Sequence, residues 1–225
     1  VPLMPTIPAE EKIPLGALCR SKIFFLAMVL MLCAGASELA MSQWSSLFAE
    51  KALGVPKVLG DLLGPCLFAV FMGIGRTIYG IWGAKLNLHR VLALSSVLCV
   101  LCYLGASLVP NPMIALLSCA LCGFSISLMW PGVLSTTSAA YPKGGTAMFG
   151  VLAVCGDIGC SVGPALTGAV SDFVSRFGAF AASLSVTADQ LGLKAGMLSA
   201  IVFPLILLLC LVLLKRALQK KKLPG

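Results

Sequence analysis

The sequence predicts an all-α integral membrane protein that crosses the bilayer six times. Three observations carry this. Of 225 residues, 59% are apolar and only 11% charged, too little charge to clothe a chain of this size in water. Mean hydropathy is +1.03. The apolar residues gather into runs of about 20 or more, the length that crosses a bilayer as a helix. Lipid offers backbone groups no partners, so helices are the economical solution for such runs. The alternation expected of an outer-membrane barrel is absent from them.

The elements follow in order. The chain opens at Val1 without an initiator Met, and Pro2, Pro5, Pro8 and Pro14 stand beside Glu10, Glu11 and Lys12. Residues 1–21 therefore read as a cytoplasmic linker inside a longer chain cut at its start. The first span is expected over Ile23 to Ser45 and the second over Val58 to Trp82. Between Arg90 and Lys143 there is no charge, a stretch too long for one crossing. Pro110-Asn111-Pro112 divides it into a third span from Val91 and a fourth ending near Leu134. The fifth, over Gly145 to Val170, is rich in Gly, and the sixth, over Ala195 to Leu214, is nearly pure Leu, Ile and Val. The bundle occupies residues 22–216, and residues 217–225 form a basic cytoplasmic tail.

Orientation comes from the loops. With both termini on one side, that side holds 12 of the 16 basic residues, among them Lys85, Arg90, Lys215 and Arg216. Lys51, Lys57, Arg176 and Lys194 lie on the other. The positive-inside rule then places both termini in the cytoplasm, and the expected location is a plasma membrane of the bacterial inner-membrane kind. The terminal basic cluster is a topology anchor, and the net charge of +8 gives no reason to expect nucleic acid as a partner. One His and no acid-rich loop leave no expected metal, and no cofactor is expected. Nine of the ten Cys fall in apolar runs. Their C-x-x-C pairs, Cys99/Cys102 and Cys119/Cys122, read as small soft packing residues.

Three charged residues resist the lipid explanation, because each costs about 2.5–3.5 kcal/mol at a helix centre. Asp157 sits near the middle of the fifth span. Thr146, Gly150, Ala153, Ser161, Pro164 and Gly168 share its face, a stripe of small residues able to approach another helix or border a cavity. Asp157 is a candidate proton carrier or a structural hydrogen-bonding group. Glu38 lies in the outer half of the first span, with Gln43 and Trp44 within seven residues of it. Acid, amide and indole make a set suited to a polar solute, though a helix end nearing water would hold the same residues. The fourth span adds Ser125 in a milder polar face, and Trp130 beyond it. Arg76 lies within two turns of the cytoplasmic end, close enough to snorkel.

Gly75-Arg76-Thr77-Ile78-Tyr79-Gly80-Ile81-Trp82-Gly83-Ala84-Lys85, followed by His89-Arg90, resembles the G-R-x-x-x-G-x-x-[GA]-D-[RK] signature between helices 8 and 9 of major facilitator superfamily transporters. Ala84 stands where that family usually has Asp. Gly123 through Trp130-Pro131 is similar to a helix 10 segment of sugar-type members, fucose permease relatives included. Gly150, Gly159, Gly163-Pro164 and Gly168 resemble a glycine pattern known from antiporters, with Thr167 departing from it. The resemblance implies one half of a major-facilitator-type bundle, helices 7 to 12, with the linker as remnant of a central loop.

It also implies a secondary transporter, not an enzyme, in which two six-helix halves rock about a midplane site. The expected cargo is a small polar, sugar-like solute moved with protons. Glu38, Gln43, Trp44, Ser125 and Trp130 would contact solute, Asp157 or Glu38 would carry the proton, and Arg76, Lys85 and Arg90 would serve the cytoplasmic gate. The partners expected are solute, protons, the bilayer and a second six-helix half, on the same full-length chain or another copy. Proton-driven export of drugs or metabolites is the alternative within transport, and a non-transporting receptor or assembly subunit the alternative outside it.

Overall fold

The structure is a computed structural model that describes residues 13–222. Residues 1–12 of the expected linker and 223–225 of the basic tail lie outside the described residues. After a short helix α1 (Leu15–Cys19), α2 (Lys22–Leu47) runs into a π-turn, Phe48–Ala52. Then come α3 (Lys57–Asp61), a second π-turn (Leu62–Cys66), α4 (Leu67–Trp82) and α5 (Leu88–Leu108). They are followed by α6 (Pro112–Ile126), α7 (Met129–Ala140), α8 (Gly145–Ser175), α9 (Gly178–Ser183), α10 (Ala188–Ser199) and α11 (Val202–Lys222). No strand occurs among the described residues. Joined across their breaks, these helices make six candidate membrane spans, Lys22–Ala52, Lys57–Trp82, Leu88–Leu108, Pro112–Ala140, Gly145–Ser175 and Ala188–Gln219.

The turn expected at Pro110-Asn111-Pro112 is present and has a clear cause. Asn111 caps α6 by accepting from the Met113 N–H at 2.9 Å and the Ile114 N–H at 3.4 Å, with Pro112 in the first turn. A capping box between Thr187 and Gln190 starts α10 in the same spirit. The spans run longer than hydropathy alone indicates, because polar caps and amphipathic ends extend them past the apolar runs.

Two spans expected as single helices are interrupted. The fourth breaks at Ser127–Leu128 and the sixth at Ala200–Ile201. Each break ends four residues or fewer before a proline, Pro131 or Pro204. A proline lacks the N–H its helix needs and its ring crowds the carbonyl four residues back. Pro65 lies within the π-turn of the second span for the same reason. Pro164 is the exception: α8 passes through it unbroken.

The core forms where α2 meets α8, with α6 and α11 on the other flanks of α2. Glycines set the α2–α8 distance. A Cβ on Gly159 would collide with the Leu32 carbonyl and stand 3.0 Å from the Ala36 nitrogen; one on Gly163 would stand 2.7 Å from the Ala36 Cα. Backbone lies against backbone here, the close approach that small residues permit in a membrane. Tyr103 ties α5 to the same helix, its buried hydroxyl donating to the Ser37 carbonyl at 2.8 Å. Beside Tyr103 the two C-x-x-C pairs meet across α5 and α6, all four thiols buried and the Cys99 and Cys122 sulfurs 3.8 Å apart.

The outer surface divides by chemistry. On α5, Leu94, Val97 and Leu101 are exposed, and on α11 Leu205, Leu209 and Val212, faces suited to lipid. The second and fifth spans are the least covered, with 22% of their most apolar stretch buried against 44–61% in the other four. Each presents an apolar stripe, Val70, Ile74 and Ile81 on α4 or Val154, Ile158 and Val162 on α8. Beside it runs a second exposed stripe of small and polar residues: Gly73, Arg76, Thr77 and Gly80 on α4, and Thr146, Gly150, Asp157 and Ser161 on α8.

Two expected outcomes follow from this packing. Gly159→Ala or Gly163→Ala lowers thermal stability in detergent by about 1–3 kcal/mol through overpacking, whereas Gly150→Ala, with nothing within 4 Å of its Cβ, leaves it unchanged. Treatment with an apolar oxidant such as iodine joins Cys99 to Cys122, read as a cross-linked peptide pair by mass spectrometry. Failure of that bridge to form, with other cysteines reacting normally, would contradict the α5–α6 register.

Candidate functional site

The polar groups of the bundle interior converge at one level, where α2 passes α8. Glu38 projects from α2 with its side chain 17% exposed, and its Oε1 lies 3.8 Å from Nη2 of Arg76 on α4. Arg76 therefore reaches inward to a carboxylate, not outward to the membrane surface. Half of its side chain remains exposed, so the pair is open on the α4 side. A carboxylate and a guanidinium held this way offer acceptor and donor groups to any solute that enters between them.

One turn before Glu38, Gly35 lies so close to α8 that a Cβ there would collide with the Gly156 carbonyl and stand 3.0 Å from the Cys160 sulfur. This brings Glu38 alongside residues 156–160. Asp157 follows Gly156 and points to the uncovered face of α8, where it is exposed. Its backbone carbonyl accepts from the Ser161 hydroxyl at 3.3 Å. Cys160 stands within electrostatic reach of both carboxylates, Glu38 and Asp157, so the two acids share one neighbourhood.

Trp130 completes the group. It stands at the start of α7, just past the proline break, and its ring rests on Gly156: a Cβ there would lie 2.8 Å from Cζ2. The indole Nε1–H is buried and has no partner. Buried donors are nearly always paired, and leaving one unpaired costs about 1–3 kcal/mol. Such an orphan donor, on the Gly156 that packs against Gly35 one turn from Glu38, is a group that a hydrogen-bonding solute would satisfy.

The other residues singled out from sequence stand apart from this cluster. The Trp44 indole donates to the Pro164 carbonyl at 3.1 Å and packs on Gly168, bracing α2 against α8 at the proline. Gln43 is exposed. Ser125 is buried, its hydroxyl donating at 2.7 Å to the Cys122 carbonyl of its own helix. Lys85 lies in the short turn after α4, and Arg90 in the first turn of α5, where its backbone N–H is capped by Asn87. Both are at the basic end of the bundle, away from Glu38. Gly156 and Cys160 were not singled out as site residues. Their signal was their place beside Asp157, which gains meaning only once Gly35 is seen against them.

The two tryptophans separate by experiment. Trp44→Phe removes a made hydrogen bond and lowers thermal stability by about 0.5–1.5 kcal/mol. Trp130→Phe loses only ring packing on Gly156 and no made hydrogen bond, so it lowers stability by less, measured by unfolding in detergent.

Comparison with known proteins agrees with this architecture. The sequence pattern of the Major Facilitator Superfamily matches residues 2–164. No curated protein sequence matches the chain. Among solved structures, the chain is similar to a bacterial homologue of the human lysosomal transporter Spinster, in an inward-facing and unoccupied conformation. The TM-score is 0.68 at 16% sequence identity, over 96% of this chain and 53% of that one. The chain thus spans about half the length of the structure it matches, and the likeness is one of fold. A multi-pass membrane chain matched over most of its length by that pattern, and folded in that way, belongs to the Major Facilitator Superfamily.

Proposed function

We propose that this chain is a six-helix half of a secondary transporter, helices 7 to 12, that moves a small polar, sugar-like solute together with protons by alternating access. The observation that carries the proposal is the Glu38–Arg76 pair at the α2–α8 crossing, with the Trp130 ring, its N–H unpartnered among the described residues, seated on Gly156 of that crossing. Glu38 and Arg76 would bind hydroxyl groups of the solute and Trp130 would donate to it and stack on its apolar face. Gln43, Trp44 and Ser125 enter this reading as flanking residues, Trp44 by holding α2 and α8 together.

The uncovered stripes support a second half. Against lipid, Arg76 and Asp157 would each cost about 2.5–3.5 kcal/mol. Protein or water facing the small, polar stripes of α4 and α8 removes that cost. Asp157 is then the proton carrier: its carboxyl, open on that face, gains a proton in one orientation and loses it in the other. A neutral carboxyl passes through closed states that an ionised one makes costly. Lys85 and Arg90, with both termini cytoplasmic, would form part of the inner gate.

In liposomes holding the complete transporter, Asp157→Asn abolishes proton-driven accumulation of solute and spares solute exchange. Unchanged accumulation removes Asp157 from the mechanism. The same vesicles, with the proton gradient imposed in either sense, separate uptake from the alternative of export by antiport.

A further inference from the structure

The basic end of the bundle carries a second site, which shares Arg90 with the proposed inner gate. A groove of about 760 Å³ opens where α5, α7 and α11 end on that side. His89 and Arg90 line it from the first turn of α5, Lys215 from α11, and Ser135 and Thr136 from α7. His89 is close enough to Lys215 to feel its charge. Among the described residues, no carboxylate lines the groove.

The lack of acids extends beyond the groove. Among the described residues, Glu50, Asp61, Asp172 and Asp189 all lie at the opposite ends of their spans, and Glu38 and Asp157 lie at mid-depth. The rim holding His89, Arg90 and Lys215 therefore has no described carboxylate to balance it. Cations brought together without a counter-charge repel one another, and an anion from outside relieves the repulsion. The Ser135 hydroxyl, 3.2 Å from that of Tyr79, adds a neutral donor, whereas Thr136 donates at 2.8 Å to the Gly132 carbonyl of its own helix. A phosphate group matches this set of donors.

The surroundings of the groove specify the rest of the ligand. Below Arg90 on the same helical face run Leu94, Val97 and Leu101, all exposed, and below Lys215 lie Val212 and Leu205, also exposed. A molecule with its anion in the groove would lay apolar chains along these faces. The geometry points to a binding site for the headgroup of an anionic phospholipid, held by His89, Arg90 and Lys215 with its acyl chains against α5 and α11.

Native mass spectrometry of the full chain, released from detergent with defined lipids, tests this. Phosphatidylglycerol is retained about tenfold better than phosphatidylcholine, the order expected for cations at a headgroup. The H89Q/R90Q/K215Q variant loses that preference, Lys215→Gln alone lowers it in part, and R20Q/K22Q, on the same rim but outside the groove, retains it. Circular dichroism and gel filtration establish that each variant is folded. Equal retention of the two lipids by the unaltered chain overturns the proposal, as does an unchanged preference in both groove variants. So does complete displacement of phosphatidylglycerol by millimolar inorganic phosphate, which would assign the groove to a free anion.

Discussion

The close contact of α2 with α8 is the constraint on which the rest of the molecule depends. Gly35, Gly159 and Gly163 remove side chains from the contact, so carbonyls of one helix lie where side chains of the other would stand. In lipid, helices gain little from hydrophobic association, and close van der Waals packing holds them together instead. That packing also sets the chemistry. Glu38 is one turn beyond Gly35, and Asp157 directly follows Gly156, so the contact that closes the helices also brings both acids within electrostatic reach of Cys160.

α8 is the pivot because it has two small-residue faces one step apart. The buried one is spent on α2 at Gly159 and Gly163 and on the Trp130 ring of α7 at Gly156. The other, through Gly150, Asp157 and Ser161, is left uncovered within this chain. Hydropathy cannot distinguish them. Both are small, both repeat at helical spacing, and only the position of α2 decides which is covered.

That explains what could be read from the sequence and what could not. Six spans and the turn at Asn111 were legible, since length, hydropathy and capping chemistry are local properties. Span ends were less so, because π-turns and polar caps carry helices beyond their apolar runs, as at Phe48–Ala52 and Ala188. Pro131 and Pro204 were visible as residues but not as breaks, since Pro164 shows that a membrane helix can also accommodate one. Glu38, Asp157, Arg76 and Trp130 were recognisable individually by their cost in lipid or by the motif around them. Their convergence was not, because it joins separate helices, as where Glu38 and Arg76 meet across 38 positions of the chain. The separate fate of Trp44, paired with a backbone carbonyl of α8, is tertiary information of the same kind.

The two faces of α8 also set different rules for how this helix can vary. Along Gly156, Gly159 and Gly163 the restriction is on volume, and polarity hardly enters, because no side chain of any kind has room. Along Asp157 and Ser161 the space is open, and what matters is charge and hydrogen bonding. Random substitution of α8 would therefore yield two interleaved records of tolerance, out of phase by one residue. A drift in size on one face cannot be compensated by a change on the other. The helix can exchange the chemistry of its open face while its seat in the bundle stays the same.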